Sequence, residues 1–401
     1  MPFKSVIGAI SDHFHPKMDA VGITHNGPLE AEDAFIERTV NKPMPRDNEV
    51  LVQVLASAVN PVDTKMRAGY TNTGVFRIFG LDVVGRVAAV GSCVTRFSVG
   101  DRVFYAGKQR QAGADAAYQV VDSNLIAHAP SRLDDVAAAA MPLTSVTAHD
   151  IMHHGFHLPV ERNAAREKAL LVLNGAGGVG SVLIQLAKYM GMTVLATAGN
   201  PESKKWVHKM GADFVLDYHL DLVKQTKAAG FDQVDYIANL QDTTGYWDLM
   251  VRLIRPYGQI ASIVDTTVPV DLGELKSKAA SFSWVYMLAR GNENVYLAEQ
   301  GQILEKISQL LESGDIKSTV TKVYHGLTAN NIRHANLDVA GHHVYGKVVV
   351  DFAPNIMADG DNLGPEGNSK SDFEDRPDDV KEVDGLTEKE DQGSVSEKTD
   401  E

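Results

Sequence analysis

The sequence predicts an α/β protein in which a partly open β-barrel is joined to a doubly wound parallel sheet and followed by a disordered acidic tail. Three observations carry this expectation. Short strand-like segments punctuated by glycines fill the first third of the 401 residues. Strands and helices alternate after about Met141, and an acidic stretch poor in large apolar residues begins near Pro354.

The barrel comes first. Glu49-Val-Leu-Val-Gln-Val-Leu-Ala56 has the pattern of a half-buried strand. Val83 to Val90 and Arg102 to Tyr105 follow as further strands, with glycines at 85, 91 and 100 as turn signals.

The parallel sheet opens with Ala169-Leu-Leu-Val-Leu173, a buried-type strand, and a helix expected over Val179 to Met190. Gly191 then stands where a helix end favours a residue able to take positive φ. Thr193-Val-Leu-Ala-Thr197 is the second strand. Helices are expected over Lys204 to Met210, Leu220 to Ala229 and Tyr246 to Ile254, and strands at Phe214 to Leu216, Val234 to Ile237 and Gln259 to Val264. This rhythm specifies a doubly wound sheet. Val344 to Phe352 lies too far along to continue it and is expected to return to the barrel. The expected division is 1–143 for the first part of the barrel domain, 144–305 for the nucleotide domain, 306–352 for the return and 353–401 for the tail.

Charge supports that division. Of the formal net charge of −14, residues 353–401 carry 16 acidic against 5 basic residues, which leaves 36 against 33 for the remainder. The tail reads as a solubilising, disordered extension that cannot bury enough surface to offset its ordering entropy. The body is nearly balanced and has no basic stripe, which counts against nucleic acid as a partner. No run of about 18 apolar residues occurs, so no membrane span is expected. The single cysteine, Cys93, permits no intrachain disulfide, and Met1 to Ala20 lack a signal-peptide core. A cytoplasmic protein is expected.

Gly175-Ala176-Gly177-Gly178-Val179-Gly180 fits the Gly-x-Gly-x-x-Gly spacing. The spacing alone is weak, but here it leaves an apolar strand and opens an apolar helix, the context a dinucleotide site requires. Gly175 suits the tight turn, Gly177 close approach to a pyrophosphate, and Gly180 packing of helix on strand. At the end of the second strand, Ala198-Gly199-Asn200 offers no carboxylate for a ribose 2′-hydroxyl until Glu202. Ser203 and Lys204, beside Lys205, can pair with a 2′-phosphate, so NADPH is favoured over NADH. The two lysines also fit an ordinary solvated helix start.

With these residues in view, the chain resembles the medium-chain dehydrogenase/reductase superfamily over roughly residues 20 to 352. Within it the likeness is to the zinc-free quinone oxidoreductase, or zeta-crystallin-like, branch and to proteins labelled zinc-type alcohol dehydrogenase-like. The stretches that carry it are Ser57-Ala-Val-Asn-Pro-Val-Asp63, Gly80-Leu-Asp-Val-Val-Gly85, Gly100-Asp-Arg-Val103, Met141-Pro-Leu-Thr-Ser-Val-Thr-Ala148, the glycine loop and Tyr345-Gly-Lys-Val-Val-Val350. The resemblance implies a GroES-like catalytic barrel, a Rossmann domain and a cleft between them for nicotinamide and substrate. Zinc alcohol dehydrogenases of the superfamily carry a cysteine and a histidine where this chain has Asn60 and Asp82, and the four-cysteine lobe is absent. No metal is therefore expected.

Hydride transfer without a Lewis acid needs hydrogen-bond donors to stabilise the developing charge. A quinone or an α,β-unsaturated carbonyl delocalises that charge and suits such a site. Asn60 and Tyr70 are the expected catalytic donors, with Asn60 also near the nicotinamide ribose and Asp63 orienting it. The resemblance places Thr144 or Thr147 near the nicotinamide, and Lys347 at the cofactor or the cleft. Phe282-Ser-Trp-Val-Tyr-Met287 either lines the acceptor pocket or forms an edge strand of a homodimer. His149, His153 and His157 recur at spacing four and are expected along one polar helix face rather than around a metal. The competing readings are a zinc-dependent alcohol dehydrogenase and a non-catalytic, nucleotide-dependent binding protein.

Overall fold

The computed structural model describes residues 16–341 and 344–353. The first eight strands are β1 (Lys17–Ile23), β2 (Ile36–Asn41), β3 (Glu49–Val59), β4 (Arg77–Ile78), β5 (Asp82–Val90), β6 (Arg102–Ala106), β7 (Tyr118–Asp122) and β8 (Ile126–His128). β1 lies between β2 and β4 in a small antiparallel sheet. The long β3 anchors the rest, pairing antiparallel with both β5 and β7. Val50, Val52, Val54, Ala56 and Ala58 of β3 are fully buried. Each valine so buried contributes about 1.5–3 kcal/mol relative to exposure. A Cβ on Gly85 would lie 2.3 Å from the Gln53 carbonyl oxygen, so β5 approaches β3 this closely only with glycine there.

The parallel sheet contains β9 (Ala169–Leu173), β10 (Thr193–Thr197), β11 (Phe214–Leu216), β12 (Val234–Asn239), β13 (Ile254–Ser262) and β14 (Ser281–Trp284). Their order is β11-β10-β9-β12-β13-β14, and every pairing is parallel. All five residues of the central β9 are buried, as its uniformly apolar sequence requires. The chain order reverses direction beside β9, at the point where a doubly wound sheet opens its ligand crevice. Helix Gly178–Tyr189 follows β9, and Gly191 takes φ 84°, the left-handed conformation its sequence position called for.

Two strands, β15 (Val320–His325) and β16 (Lys347–Asp351), return to the barrel, where β16 pairs antiparallel with β3. The connecting helix Leu297–Glu312 runs through residue 305, so a domain boundary there would divide a helix. Its N-terminal half already rests on the barrel: Gln300 Nε2 donates to the Ala106 carbonyl at 2.8 Å. A Cβ on Gly301 would stand 2.5 Å from the Asn124 carbonyl oxygen.

Several expectations are corrected. β1 and β2 were not foreseen; β2 is an edge strand with every residue exposed or half-exposed, which leaves no apolar signature. β13 starts at Ile254 rather than Gln259, bending at Tyr257, whose φ is 60°. The three histidines do not share a helix face. Helix Pro142–Asp150 passes into a π-helical turn at Ile151–Gly155, and His157 lies beyond it at φ 53°. The expected acidic tail falls at 354–401, outside the described residues.

Candidate active site

The glycine loop leaves β9 at Asn174, which adopts φ 68°, and Gly177 caps helix Gly178–Tyr189 with φ −68° and ψ 172°. The first N–H groups of that helix have no partner within it and present a positive end. Two glycines are obligatory for packing. A Cβ on Gly180 would meet the backbone oxygens of Asn174 and Gly175 at 2.4 and 2.6 Å, and one on Gly175 would meet Ala196 Cβ at 2.8 Å. Gly177, Gly178 and Val179 are half-exposed and form the accessible tip, while Ala176 is buried.

The return strand is attached to this loop. Gly346 N–H donates to the Ala176 carbonyl at 2.8 Å. A Cβ on Gly178 would stand 3.0 Å from both Lys347 Cδ and Thr144 Cγ2. Lys347 and Thr144 therefore both reach the glycine loop, although they belong to distant parts of the chain.

Beyond that contact the Lys347 ammonium enters a buried polar network. It donates to Asn60 Oδ1 at 2.6 Å, Asp82 Oδ2 at 2.9 Å and the Val59 carbonyl at 3.1 Å. Asn60 Nδ2 donates to Asp82 Oδ2 at 2.9 Å, and Leu143 N–H donates to Asp82 Oδ1 at 2.6 Å. Lys347, Asn60 and Asp82 are 3%, 2% and 0% exposed. These hydrogen bonds satisfy all three groups, as burial of an ion pair requires.

Asn60 stands at the N-cap of helix Pro61–Ala68, and its side chain turns into the network. Asp63 stabilises the helix start, its Oδ2 accepting from Asn60 N–H at 2.8 Å. Its other oxygen is buried without a hydrogen-bond partner. Burial pushes the Asp63 carboxyl up to about 7, against the lowering effects of the Asn60 N–H and the Lys347 ammonium, and nearby Asp82 adds to the rise. Asp115 is close enough to feel the Asp63 charge, and burial raises its carboxyl well above the usual range. Sequence reasoning missed Asp115.

The remaining candidates are mixed. The Tyr70 hydroxyl donates to the Val75 carbonyl at 2.6 Å and lies 2.9 Å from Thr73 Oγ1, so it is committed to its own loop. To serve as the expected donor to a substrate oxygen it would have to exchange these partners. Asn60, likewise, has both amide ends engaged. The hydroxyls of Thr144 and Thr147 donate to carbonyls one helical turn back, at 3.2 Å to Met141 and 2.8 Å to Leu143. Ser203 and Asn200 cap helix Pro201–Lys209 reciprocally. Lys204 is bound to Asp217 at 3.0 Å, while Lys205 is exposed. Tyr218 was not foreseen. A Cβ on Gly199 would strike its ring at 2.3 Å, so this tyrosine covers the end of β10. The sequence signal was an aromatic residue two positions beyond β11. In the aromatic stretch, Ser281–Trp284 forms the edge strand β14.

Two family models match: the alcohol dehydrogenase GroES-like domain over residues 46–131 and the zinc-binding dehydrogenase model over residues 178–298. A zinc-type alcohol dehydrogenase-like protein of Staphylococcus aureus is 38% identical over 336 residues, covering 84% of this chain and 100% of the relative. The chloroplastic NADPH-dependent alkenal/one oxidoreductase of Arabidopsis thaliana is 29% identical, over 79% of this chain and 75% of the relative. The structure of a mycobacterial protein complexed with NADPH superimposes with a TM-score of 0.70 at 25% identity, covering 83% of this chain and 99% of that one.

Proposed function

This chain belongs to the medium-chain dehydrogenase/reductase superfamily, and on that premise we propose that it transfers a hydride from NADPH to a quinone or an α,β-unsaturated carbonyl without catalytic zinc. The observation that carries the reading is the buried Lys347 ammonium, 2.9 Å from Asp82 and 2.6 Å from Asn60. Those two residues stand where zinc-dependent relatives carry metal ligands. A zinc ion there would face a resident cation and a single carboxylate, a donor set lacking the thiolate and imidazole it favours. The residues present do not fit the metal.

The glycine loop does fit a dinucleotide. Its half-exposed tip offers unpaired helix N–H groups to a pyrophosphate. The second strand ends in Ala198-Gly199-Asn200 under Tyr218, without a carboxylate on β10 itself. Asp217, which could repel a 2′-phosphate, is neutralised by Lys204. NADPH supplies the hydride when bound. The chain contributes orientation: Lys347 and Thr144 pack on Gly178, and Asn60 is held rigid by Lys347 and Asp82.

The choice of acceptor follows from what the donors are doing. Asn60 and Tyr70 direct their hydrogen bonds to protein partners and leave the acceptor oxygen little help. A quinone or enone spreads negative charge over its own conjugated system, whereas a simple ketone concentrates it on one oxygen and needs stronger stabilisation. The site suits the former. Asn60 is best read as a positioning residue.

Self-association at the free edge of β14 is part of the same proposal. Trp284 and Tyr286 are 54% and 52% exposed there, and pairing with a second copy would cover an unprotected edge.

NADPH oxidation by the purified protein tests the function. A 1,4-quinone and a 2-alkenal are expected to accelerate it well beyond an unconjugated ketone. If neither class does so at micromolar enzyme, the acceptor assignment is wrong.

A further inference from the structure

We propose that His153, His154 and Glu299 form a binding site for a divalent transition metal of the zinc class, distinct from the hydride-transfer site. One ligand atom from each lies within 4.8 Å of the others. The π-helical turn Ile151–Gly155 brings the two histidines to one side, their ring centroids 4.8 Å apart. π-Helical turns are uncommon and recur at functional sites. Glu299 approaches from the first turn of helix Leu297–Glu312.

The donor chemistry is that of zinc: two imidazoles and a carboxylate leave a fourth position open. At zinc–ligand distances of about 2.0–2.2 Å, tetrahedral ligand atoms stand about 3.4 Å apart. Side-chain rotation closes the difference easily, because His153 is exposed and the His154 side chain is 50% exposed.

The surroundings orient the carboxylate. Arg290 Nε donates to Glu299 Oε2 at 2.9 Å, while Glu299 Oε1 faces His154 Nε2 at 3.2 Å. Arg290 also contacts His154 Nε2 at 3.0 Å, but its charge is balanced by a bidentate pair with Asp150 at 2.5 and 2.8 Å. Lys306 is the other nearby cation. Asp150 and Glu299 offset Arg290 and Lys306, so these four groups are formally balanced before any metal binds. His149 lies beside the cluster, its ring 5.7 Å from that of His153. Partners that hold a ligating group in place are a regular support of metal sites.

The test uses the full-length protein, dialysed against chelator and titrated with zinc chloride alone by calorimetry, alongside His153→Ala and Glu299→Gln. One molar equivalent is expected to bind, with affinity lower by on the order of tenfold or more in each variant. His153→Ala changes an exposed side chain and keeps the result interpretable if Glu299→Gln fails to fold. No zinc binding by the parent chain, or parental affinity in His153→Ala, overturns the proposal. NADPH oxidation measured on the same samples reads the other site separately.

Discussion

Lys347→Met puts a chain of similar length in place of a buried ammonium. The substitution removes three hydrogen bonds, to Asn60, Asp82 and the Val59 carbonyl. Asp82, with no exposed surface, keeps only its bonds from Asn60 Nδ2 and Leu143 N–H. Removing one partner from a buried ion pair costs about 3–5 kcal/mol, mostly because the remaining charge is left uncompensated. Adding Asp82→Asn removes that charge, so the double variant should be more stable than Lys347→Met alone. Urea unfolding followed by tryptophan fluorescence measures all four members of the cycle. NADPH oxidation should fall in Lys347→Met, because Asn60 loses its strongest anchor. A loss below about 1 kcal/mol in Lys347→Met, or strictly additive effects in the double variant, would refute the network as described.

Other predictions follow from the same geometry. Asp63 has a folded-state pKa of about 7, above its ordinary 3.8, so the folded protein holds a proton that the unfolded chain releases between those values. Its stabilising contribution is present below about pH 4 and is lost as pH rises through 7; Asp63→Asn should flatten the stability–pH slope there by up to about 1.4 kcal/mol per pH unit, read by urea unfolding across pH 5–8. Asp115 should keep some slope in that variant, since its carboxyl is also raised. Gly180→Ala forces a methyl against two backbone oxygens and should lower stability by about 1–3 kcal/mol and weaken NADPH binding, measured by nucleotide fluorescence. Lys204→Ala unmasks Asp217 and should weaken NADPH relative to NADH on the order of tenfold; equal effects on the two KM values would contradict the cofactor reading.

The sequence displayed elements whose burial is uniform or alternating. β9, apolar throughout, and β3, with its repeated valines, announce themselves through the surface they bury. β2 does not, because an exposed edge strand owes its conformation to β1 and not to its own apolar residues. The glycine loop was legible since its constraints lie within six consecutive residues. The Lys347–Asp82 pair was not: 265 residues separate its members, and neither neighbourhood indicates that the other will arrive. The family resemblance marked Asn60 and Asp82 as departures from a metal-binding pattern, but the Lys347 ammonium that joins them became visible only with the fold. The Tyr70 hydrogen bond to Val75, five residues on, was not legible either, because it depends on how the loop between them folds. The histidine spacing failed because the π-helical turn changed the period on which it depended.

The most direct test of zinc-free hydride transfer is steady-state NADPH oxidation, with a 1,4-quinone or a 2-alkenal, by protein dialysed against chelator until metal analysis finds no zinc. Undiminished turnover is expected, whatever metal the His153 cluster has given up. Activity that disappears with the zinc, and returns when one equivalent is restored, would contradict the account.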